Sequence, residues 1–147
     1  MRTFLSRQRA TLLTLALIAM LGVLNACTVT TTGSQTDAIT RPGGWVFDSF
    51  STGTPTAGQS IVYKGMTAVF TSSGSVTFTT AAEARAAGAP ATFTGTWSLT
   101  DLRVISMTIP GLISNGGSLD ITELTSTTFR YSGSVSGSTL EWKWTAK

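Results

Sequence analysis

Apolar and polar side chains alternate with a period of two over several short segments of this chain, and this alternation restricts its fold more than any other feature. In residues 92–100 every even position is threonine or serine, and the odd positions are Phe93, Gly95, Trp97 and Leu99. Successive side chains of a β-strand point to opposite faces, so such a segment has one apolar and one polar face. Strands of this kind are typical of antiparallel sheets, because buried parallel strands are apolar on both faces.

Eight or nine segments have the pattern or composition of short strands, and turn residues separate them. They are residues 45–51, 60–64, 67–72, 75–80, 92–100, 103–109, 119–124, 129–135 and 140–145. Residues 81–89 alone have a helix-forming composition, which predicts at most one short helix, placed between strands as an excursion or lid. With no long helix to cover its apolar face, an all-β antiparallel meander must close as a barrel or fold into a sandwich.

Matching the apolar faces across two turns also predicts strand register. A three-residue loop over residues 73–75, with Gly74 at positive φ, places Phe70 opposite Phe78. A two-residue turn at Ser136 and Gly137 makes two pairs of inward aromatic residues, Tyr131 opposite Trp142 and Phe129 opposite Trp144.

The basic residues are concentrated at the start of the chain. Of the ten Lys and Arg, three lie within the first nine positions, and the apolar run of residues 10–24 follows them. This order is that of a secretory signal peptide, and the run is shorter than the about 20 residues that span a bilayer. Once residues 1–26 are removed, seven Lys and Arg balance seven Asp and Glu, so the charge no longer indicates nucleic acid as a partner.

The signal peptide ends at a short motif with the sequence Leu24, Asn25, Ala26 and Cys27. It resembles the lipobox of bacterial lipoproteins, which implies cleavage before Cys27 and lipidation of its thiol. Several acyl chains anchor a protein stably to a membrane. By resemblance to the sorting rule of Gram-negative lipoproteins, Thr28 after the cysteine implies the outer membrane, with the protein facing the periplasm. Residues 28–42 have almost no apolar content, so residues 27–42 are predicted to be a lipidated, flexible tether.

Residues 43–147 carry the features of a known family. Gly43, Gly44 and Trp45 fit the G-x-W motif of lipocalins, and residues 95–99 and 121–128 resemble the small lipocalin-like lipoproteins of Bacteroidetes-type bacteria. The resemblance implies an eight-stranded barrel with an apolar interior that is open at one end. In that family the interior holds small hydrophobic molecules, and Trp45 would close the other end.

The candidate ligand-binding residues are the aromatic residues expected inside the barrel. They are Phe47, Tyr63, Phe78, Phe93, Trp97, Tyr131 and Trp142, with Trp144 beside them. Inward aromatic residues in a small barrel can equally well fill it, because an eight-stranded barrel is either packed solid or holds one small ligand. Parity places Arg130, Glu141 and Lys143 on the polar face. Glu123 shares parity with Leu119 and Ile121, so it either lies inward near a pocket mouth or contacts solvent at the strand end.

The sequence argues against an enzyme and predicts no cofactor and no metal. There is no His and only one Cys, which excludes a Ser-His-Asp triad, a Cys–His pair and a conventional zinc site. No pair of carboxylates is spaced for acid–base catalysis; they occur singly at Asp37, Asp48, Glu83, Asp101, Asp120, Glu123 and Glu141.

Two functions of different class remain. In the first, the barrel binds a small hydrophobic ligand. In the second, a solid barrel serves as a structural or interaction protein of the envelope, with residues 53–59 and 113–118 as loops that touch an unknown protein partner. A cavity of a few hundred Å³ would separate the two, because that is the usual size of a small-molecule site.

Overall fold

Eight antiparallel strands close into a barrel in the computed structural model, which describes residues 32–135 and 138–147. Each strand pairs with the next along the chain, and the last strand pairs with the first. The expected all-β meander barrel is therefore confirmed. Its strands are β1 Trp45–Thr52, β2 Thr67–Phe70, β3 Ser75–Thr79, β4 Thr92–Asp101, β5 Val104–Ile109, β6 Ile113–Leu124, β7 Thr128–Val135 and β8 Ser138–Ala146. The predicted signal peptide (residues 1–26), Cys27, residues 28–31 and the turn at Ser136 and Gly137 lie outside the described residues.

The part of the chain that the structure describes also contains three short helices, so the prediction of at most one is wrong. They are α1 Thr32–Ile39, α2 Ala57–Tyr63 and α3 Ala82–Ala86. Helix α3 lies where residues 81–89 predict it. Helix α2 replaces the strand predicted over residues 60–64, because Thr56 and Gln59 form a reciprocal capping box at its start.

Helix α1 corrects the lower boundary of the barrel domain. It lies inside the segment predicted as a tether, and Ile39 at its end is fully buried in the core. The Gln35 side chain donates a hydrogen bond of 2.6 Å to the carbonyl of Leu102 in the β4–β5 turn. A single apolar residue and a few polar contacts thus attach a segment whose composition alone indicates no burial.

The predicted registers are confirmed at one hairpin and wrong at the other. Tyr131 lies opposite Trp142 and Phe129 opposite Trp144, as expected. In the β2–β3 hairpin, however, Phe78 lies opposite Ala68, two residues from the predicted partner Phe70.

The physical reason for the β2–β3 register is a turn centred one residue earlier than predicted. The backbone N–H of Gly74 donates to the carbonyl of Thr71 at 3.0 Å, and Gly74 has φ 84°. The Thr71 hydroxyl also accepts from the N–H of Ser75 at 3.2 Å. These bonds close a turn over residues 71–74. Because its centre lies one residue earlier than predicted, the partner of each β2 residue shifts by two positions, and the same side chains still face inward.

The predicted faces agree with the observed burial at most positions. Leu99 is half-buried, and the other apolar residues assigned to the core from these strands are buried: Phe93, Trp97, Phe129, Tyr131, Leu140, Trp142 and Trp144. Thr92, Thr94 and Thr96 are exposed on the outer face. Arg130 and Lys143 lie on the outer wall, where they form ion pairs of 3.0 Å with Glu123 and 2.9 Å with Asp48.

A β-bulge decides between the two placements left open for Glu123. The register of β6 against β7 shifts between Ile121 and Glu123, and Glu123 then lies opposite Arg130. An extra residue in one strand reverses the parity of everything that follows it. Glu123 is therefore on the outer wall. In the same strand, residues 113–118 are not a loop as predicted, since β6 already begins at Ile113.

The barrel has two unlike ends, and one weak seam. The closed end is the one where β1 begins at Trp45 and where α1 is attached. The open end is the opposite one, where α2, α3 and the β5–β6 turn lie. The seam is the contact between β1 and β2, which consists of two residue pairs, whereas β7 and β8 form eight.

Candidate functional site

A cavity of about 480 Å³ lies at the open end of the barrel. Helix α2 forms one wall, and the opposite walls come from the first residues of β4, the β5–β6 turn and the open-end parts of β6, β7 and β8. The lining residues are Gly58, Gln59, Val62, Tyr63, Phe93, Gly111, Leu112, Ile113, Gly117, Ser118, Leu119, Ser134, Val135 and Trp142. The volume falls within the range of about 300–1,000 Å³ that is usual for small-molecule sites.

The lining divides into an apolar inner part and a polar rim. Four lining residues are buried and form the inner part, namely Tyr63, Phe93, Leu119 and Trp142. The rim contains exposed glycines and small polar residues, including Gly58, Gly111, Ser118 and Ser134. A molecule bound here would therefore have its apolar part enclosed and one end near solvent.

Two glycines within the strands make room for the cavity. Gly117 faces inward opposite Met107, and a Cβ added there would meet only Ile113 at 3.6 Å. At Gly133 an added Cβ would lie 2.3 Å from the side chain of Leu119. Because Gly133 has no side chain, the Leu119 side chain can pack into the cavity wall. The absence of a side chain at Gly117 leaves space inside the cavity. Glycine inside a strand often marks a place where another group comes close to the backbone.

Helix α2 is held as a cavity wall by its N-terminus and by its inward side chains. The Thr56 hydroxyl accepts from the N–H of Gln59 at 3.2 Å, and the Gln59 side chain accepts from the N–H of Thr56 at 2.8 Å. Val62 and Tyr63 face the barrel, and the Tyr63 ring packs on Phe47 at 5.3 Å. Residues 81–89, which were predicted to form a lid, do not line the cavity, whereas α2 does.

Three of the seven predicted ligand-binding residues line the cavity, namely Tyr63, Phe93 and Trp142. The other four do not. Phe47, Phe78, Trp97 and Tyr131 are buried in the part of the barrel between the cavity and the closed end. There they pack in a continuous aromatic cluster, with ring centroids between 5.0 and 6.4 Å apart. The closed-end part of the barrel is therefore filled by side chains, and the cavity lies at the open end.

Trp45 lies at the closed end and is fully buried. Its indole N–H donates to the carbonyl of Ile39 at 2.9 Å, and its ring packs on Phe129 at 5.5 Å. The guanidinium of Arg41 lies 5.2 Å from the centre of the same ring and donates to the carbonyl of Ser126. These contacts close the barrel at this end with side chains from β1 and from the segment before it.

None of the described residues that line the cavity is charged. Burial raises the pKa of the Tyr63 phenol above its ordinary value, so this hydroxyl is neutral at physiological pH. The carboxylates of Asp48, Glu83 and Glu123 instead form ion pairs on the outer surface. Hydrogen bonding from the Lys143 ammonium holds the pKa of Asp48 below its usual value. The cavity is thus an uncharged, largely apolar environment.

Several lining residues were not among the predicted site residues. Val62, Leu112, Ile113, Leu119 and Val135 supply much of the apolar wall. The signal that could have indicated them was the pair of inward glycines at positions 117 and 133, which interrupts otherwise regular strands. The serine- and glycine-rich composition of residues 114–118 favoured a loop instead.

No protein-family model, curated protein or solved structure matches this chain. Among the described residues, no three His, Cys, Asp or Glu side chains are grouped so that they could hold a metal ion. The helices in the described ranges are all too short or too polar to cross a membrane.

Proposed function

We propose that this chain is a lipid-anchored protein of the bacterial envelope whose barrel binds a small hydrophobic molecule. The observation that carries the proposal is the cavity of about 480 Å³ at the open end, with the buried residues Tyr63, Phe93, Leu119 and Trp142 in its inner part. A barrel that served only as a rigid scaffold would gain stability by filling this space, since empty apolar volume is destabilising.

The chemistry of the lining restricts the ligand. A charged group buried against this wall would have no counter-charge, which makes its transfer from water costly. The affinity then comes mainly from buried apolar area, at about 25 cal/mol per Å². Binding should accordingly depend little on salt concentration, because no ion pair is formed. Nucleotides and sugar phosphates do not fit this environment.

Filling the cavity from its own wall should abolish ligand binding and leave the fold intact. A leucine at Gly117 would project into the cavity, where even its Cβ meets only one atom at ordinary contact distance. We expect saturable binding of the neutral fluorescent probe N-phenyl-1-naphthylamine to the wild-type protein. Gly117→Leu should weaken this binding by at least about tenfold, which corresponds to the area that one leucine side chain takes up.

A matched variant places the same side chain outside the barrel. Thr94 is exposed on the outer face of β4, so Thr94→Leu should bind the probe as the wild type does. Circular dichroism and thermal unfolding would verify that both variants are folded. Equal binding by both variants, or no saturable binding by the wild type, would contradict the ligand-binding proposal and favour an interaction protein with no small-molecule ligand.

The proposed anchor is supported by the sequence. Three arginines, an apolar run and the motif of residues 24–27 occur in the order that lipoprotein signals require. Cys27 would then be the first residue of the mature protein and carry the acyl chains. We place the protein at the outer membrane, facing the periplasm, because Thr28 is not the Asp that would retain it in the inner membrane.

Lipidation can be measured on the native protein. Its intact mass should lack residues 1–26 and show an added acyl mass on the first residue, and the protein should partition with membranes. Cys27→Ser should remain in the unprocessed form and carry no acyl mass, since serine cannot form the thioether to diacylglycerol. An unmodified thiol at Cys27, or an N-terminus at Met1, would contradict the anchor.

A further inference from the structure

Helix α1 determines at which end the chain enters the barrel. Its last residue, Ile39, is fully buried, and the carbonyl of Ile39 accepts from the indole N–H of Trp45 at 2.9 Å. The Gln35 side chain donates to the carbonyl of Leu102 in the β4–β5 turn. Both contacts are at the closed end. The helix begins at Thr32, about 4.5 Å from Gln35 along the helix axis. The described chain therefore starts at the closed end.

The proposed anchor is close to this point along the chain. Cys27 precedes Thr32 by five residues. An extended chain spans at most about 3.6 Å per residue, so an acylated Cys27 can be no more than about 18 Å from Thr32. This reach is shorter than that of the tether expected over residues 27–42, because α1 attaches most of that segment to the barrel.

The barrel is taller than this reach. Strand β8 has nine residues. At about 3.4 Å per residue and a tilt of about 40°, such a strand rises by about 20 Å along the barrel axis. Helix α1 is at one end of the barrel, and the cavity opens at the other. If the open end faced the membrane, the chain from Cys27 would have to cover the whole height of the barrel along its wall. Five residues cannot do that.

The closed end also has charges that suit a lipid surface. Its exposed charged residues are Arg103, Lys147, Asp37 and Asp101. None of these four forms an ion pair with a described residue. Zwitterionic headgroups carry one charge of each sign, so both kinds of side chain find a counter-charge there. On the barrel wall, Arg130 and Lys143 are instead already paired with Glu123 and Asp48.

We propose that the closed end of the barrel faces the membrane, with zwitterionic lipid headgroups as its partner, and that the cavity opens away from the lipid. This inference rests on the proposed lipid anchor and adds the orientation of the ligand site. The mouth of the cavity would then be about 20 Å or more from the headgroups, which is the height of the barrel. The ligand reaches the cavity from the periplasm and not directly from the bilayer that holds the anchor.

Single fluorescent labels at the two ends of the barrel test this orientation. Cys27 is the one cysteine of the chain, and acylation blocks its thiol, so an introduced cysteine alone takes up a thiol-reactive bimane. Ser72 is exposed in the β2–β3 turn at the closed end, and Ser138 is exposed where β8 begins at the open end. Neither residue lines the cavity. Ser72→Cys and Ser138→Cys are therefore matched variants.

The acylated, labelled proteins would be reconstituted into phosphatidylcholine vesicles in which part of the lipid carries a nitroxide on its headgroup. A nitroxide quenches only fluorophores that come close to it. We expect the label of Ser72→Cys to lose more than about half of its fluorescence relative to nitroxide-free vesicles, because the short reach from Cys27 holds the closed end at the headgroups. The label of Ser138→Cys should keep its intensity.

A longer tether provides a second measurement on the same labels. About 20 glycine and serine residues inserted between Thr31 and Thr32 lengthen the connection to about 25 residues, which reach about 27 Å as a flexible chain. This exceeds the height of the barrel, so the barrel could turn. The difference in quenching between the two labels should therefore become smaller. An undiminished difference would show that the short tether does not set the orientation.

The remaining outcomes separate the inference from the proposed function. Equal quenching of the two labels without the insertion would mean that the barrel lies on its side, and stronger quenching of Ser138→Cys would mean that the cavity faces the lipid. Either result overturns the inference, while binding of N-phenyl-1-naphthylamine still tests the ligand site separately. If the protein without an introduced cysteine takes up bimane at Cys27, or does not partition with the vesicles, the anchor and the inference both fail.

Discussion

Replacing Trp97 by alanine should lower the free energy of unfolding by about 3 to 5 kcal/mol, as truncation of buried aromatic side chains does. Trp97 is 6% exposed, and its ring packs edge-on against Phe70 with centroids 5.5 Å apart. Its indole N–H donates to the carbonyl of Thr71 at 3.0 Å, which ties β4 to the β2–β3 turn. The substitution would remove both the packing and this hydrogen bond. Urea unfolding followed by circular dichroism would measure the change.

The neighbouring residue provides the control. Thr96 is next to Trp97 on the same strand but is exposed on the outer face. Thr96→Ala should change stability by less than about 1 kcal/mol, since surface substitutions away from special features have small effects. Comparable losses for the two variants would show that the assignment of inner and outer faces on β4 is wrong.

Replacing Gly95 by alanine should destabilise the barrel by about 3 kcal/mol, although it adds only one methyl group. A Cβ at this position would lie 2.1 Å from the carbonyl oxygen of Thr108 and 2.9 Å from the Cα of Ile109. Both atoms belong to the backbone of β5, so they cannot move aside without disturbing the pairing of β4 with β5. The effect should appear as a lower midpoint of thermal unfolding and a smaller free energy of unfolding.

The same substitution in β6 should have the opposite sign. At Gly117 an added Cβ meets only the Cγ2 atom of Ile113, at 3.6 Å. Glycine inside a strand costs about 0.5 to 1 kcal/mol relative to alanine, so Gly117→Ala should be neutral or stabilising within that amount. If both variants lose stability equally, the close approach of β4 to β5 at Gly95 is not as described.

The strands could be predicted from the sequence because their side chains alternate. The register of β7 against β8 was also predictable by matching the apolar faces, and it places Tyr131 and Phe129 opposite Trp142 and Trp144. Features that do not depend on alternation were predicted wrongly or left open. The register of β2 against β3 depends on hydrogen bonds of Thr71 within the turn, and the orientation of Glu123 depends on a bulge of the backbone. Neither changes the hydrophobic pattern.

The candidate site was harder to predict than the fold. The prediction selected aromatic residues of the inner face, but four of them pack in the filled, closed-end part of the barrel. The cavity exists where side chains are absent, at Gly117, and where a helix replaces a strand, at α2. The capping box of Thr56 and Gln59 was visible in the sequence, but the apolar residues after it also fitted a short strand. Local propensity could not decide between the two.

In the proposed ligand-binding function, the seam between β1 and β2 would affect the rate of ligand exchange more than the strength of binding. The two strands share only two residue pairs, and the rest of β1 along this edge is covered by α2 through the ring contacts of Tyr63 with Phe47 and Phe50. Moving α2 outward therefore breaks side-chain packing but no strand ladder. Elements held in this way open at a lower free energy than the rest of a structure. A ligand of the proposed kind would thus enter and leave past α2, and its rate of entry would depend on how firmly Val62 and Tyr63 dock.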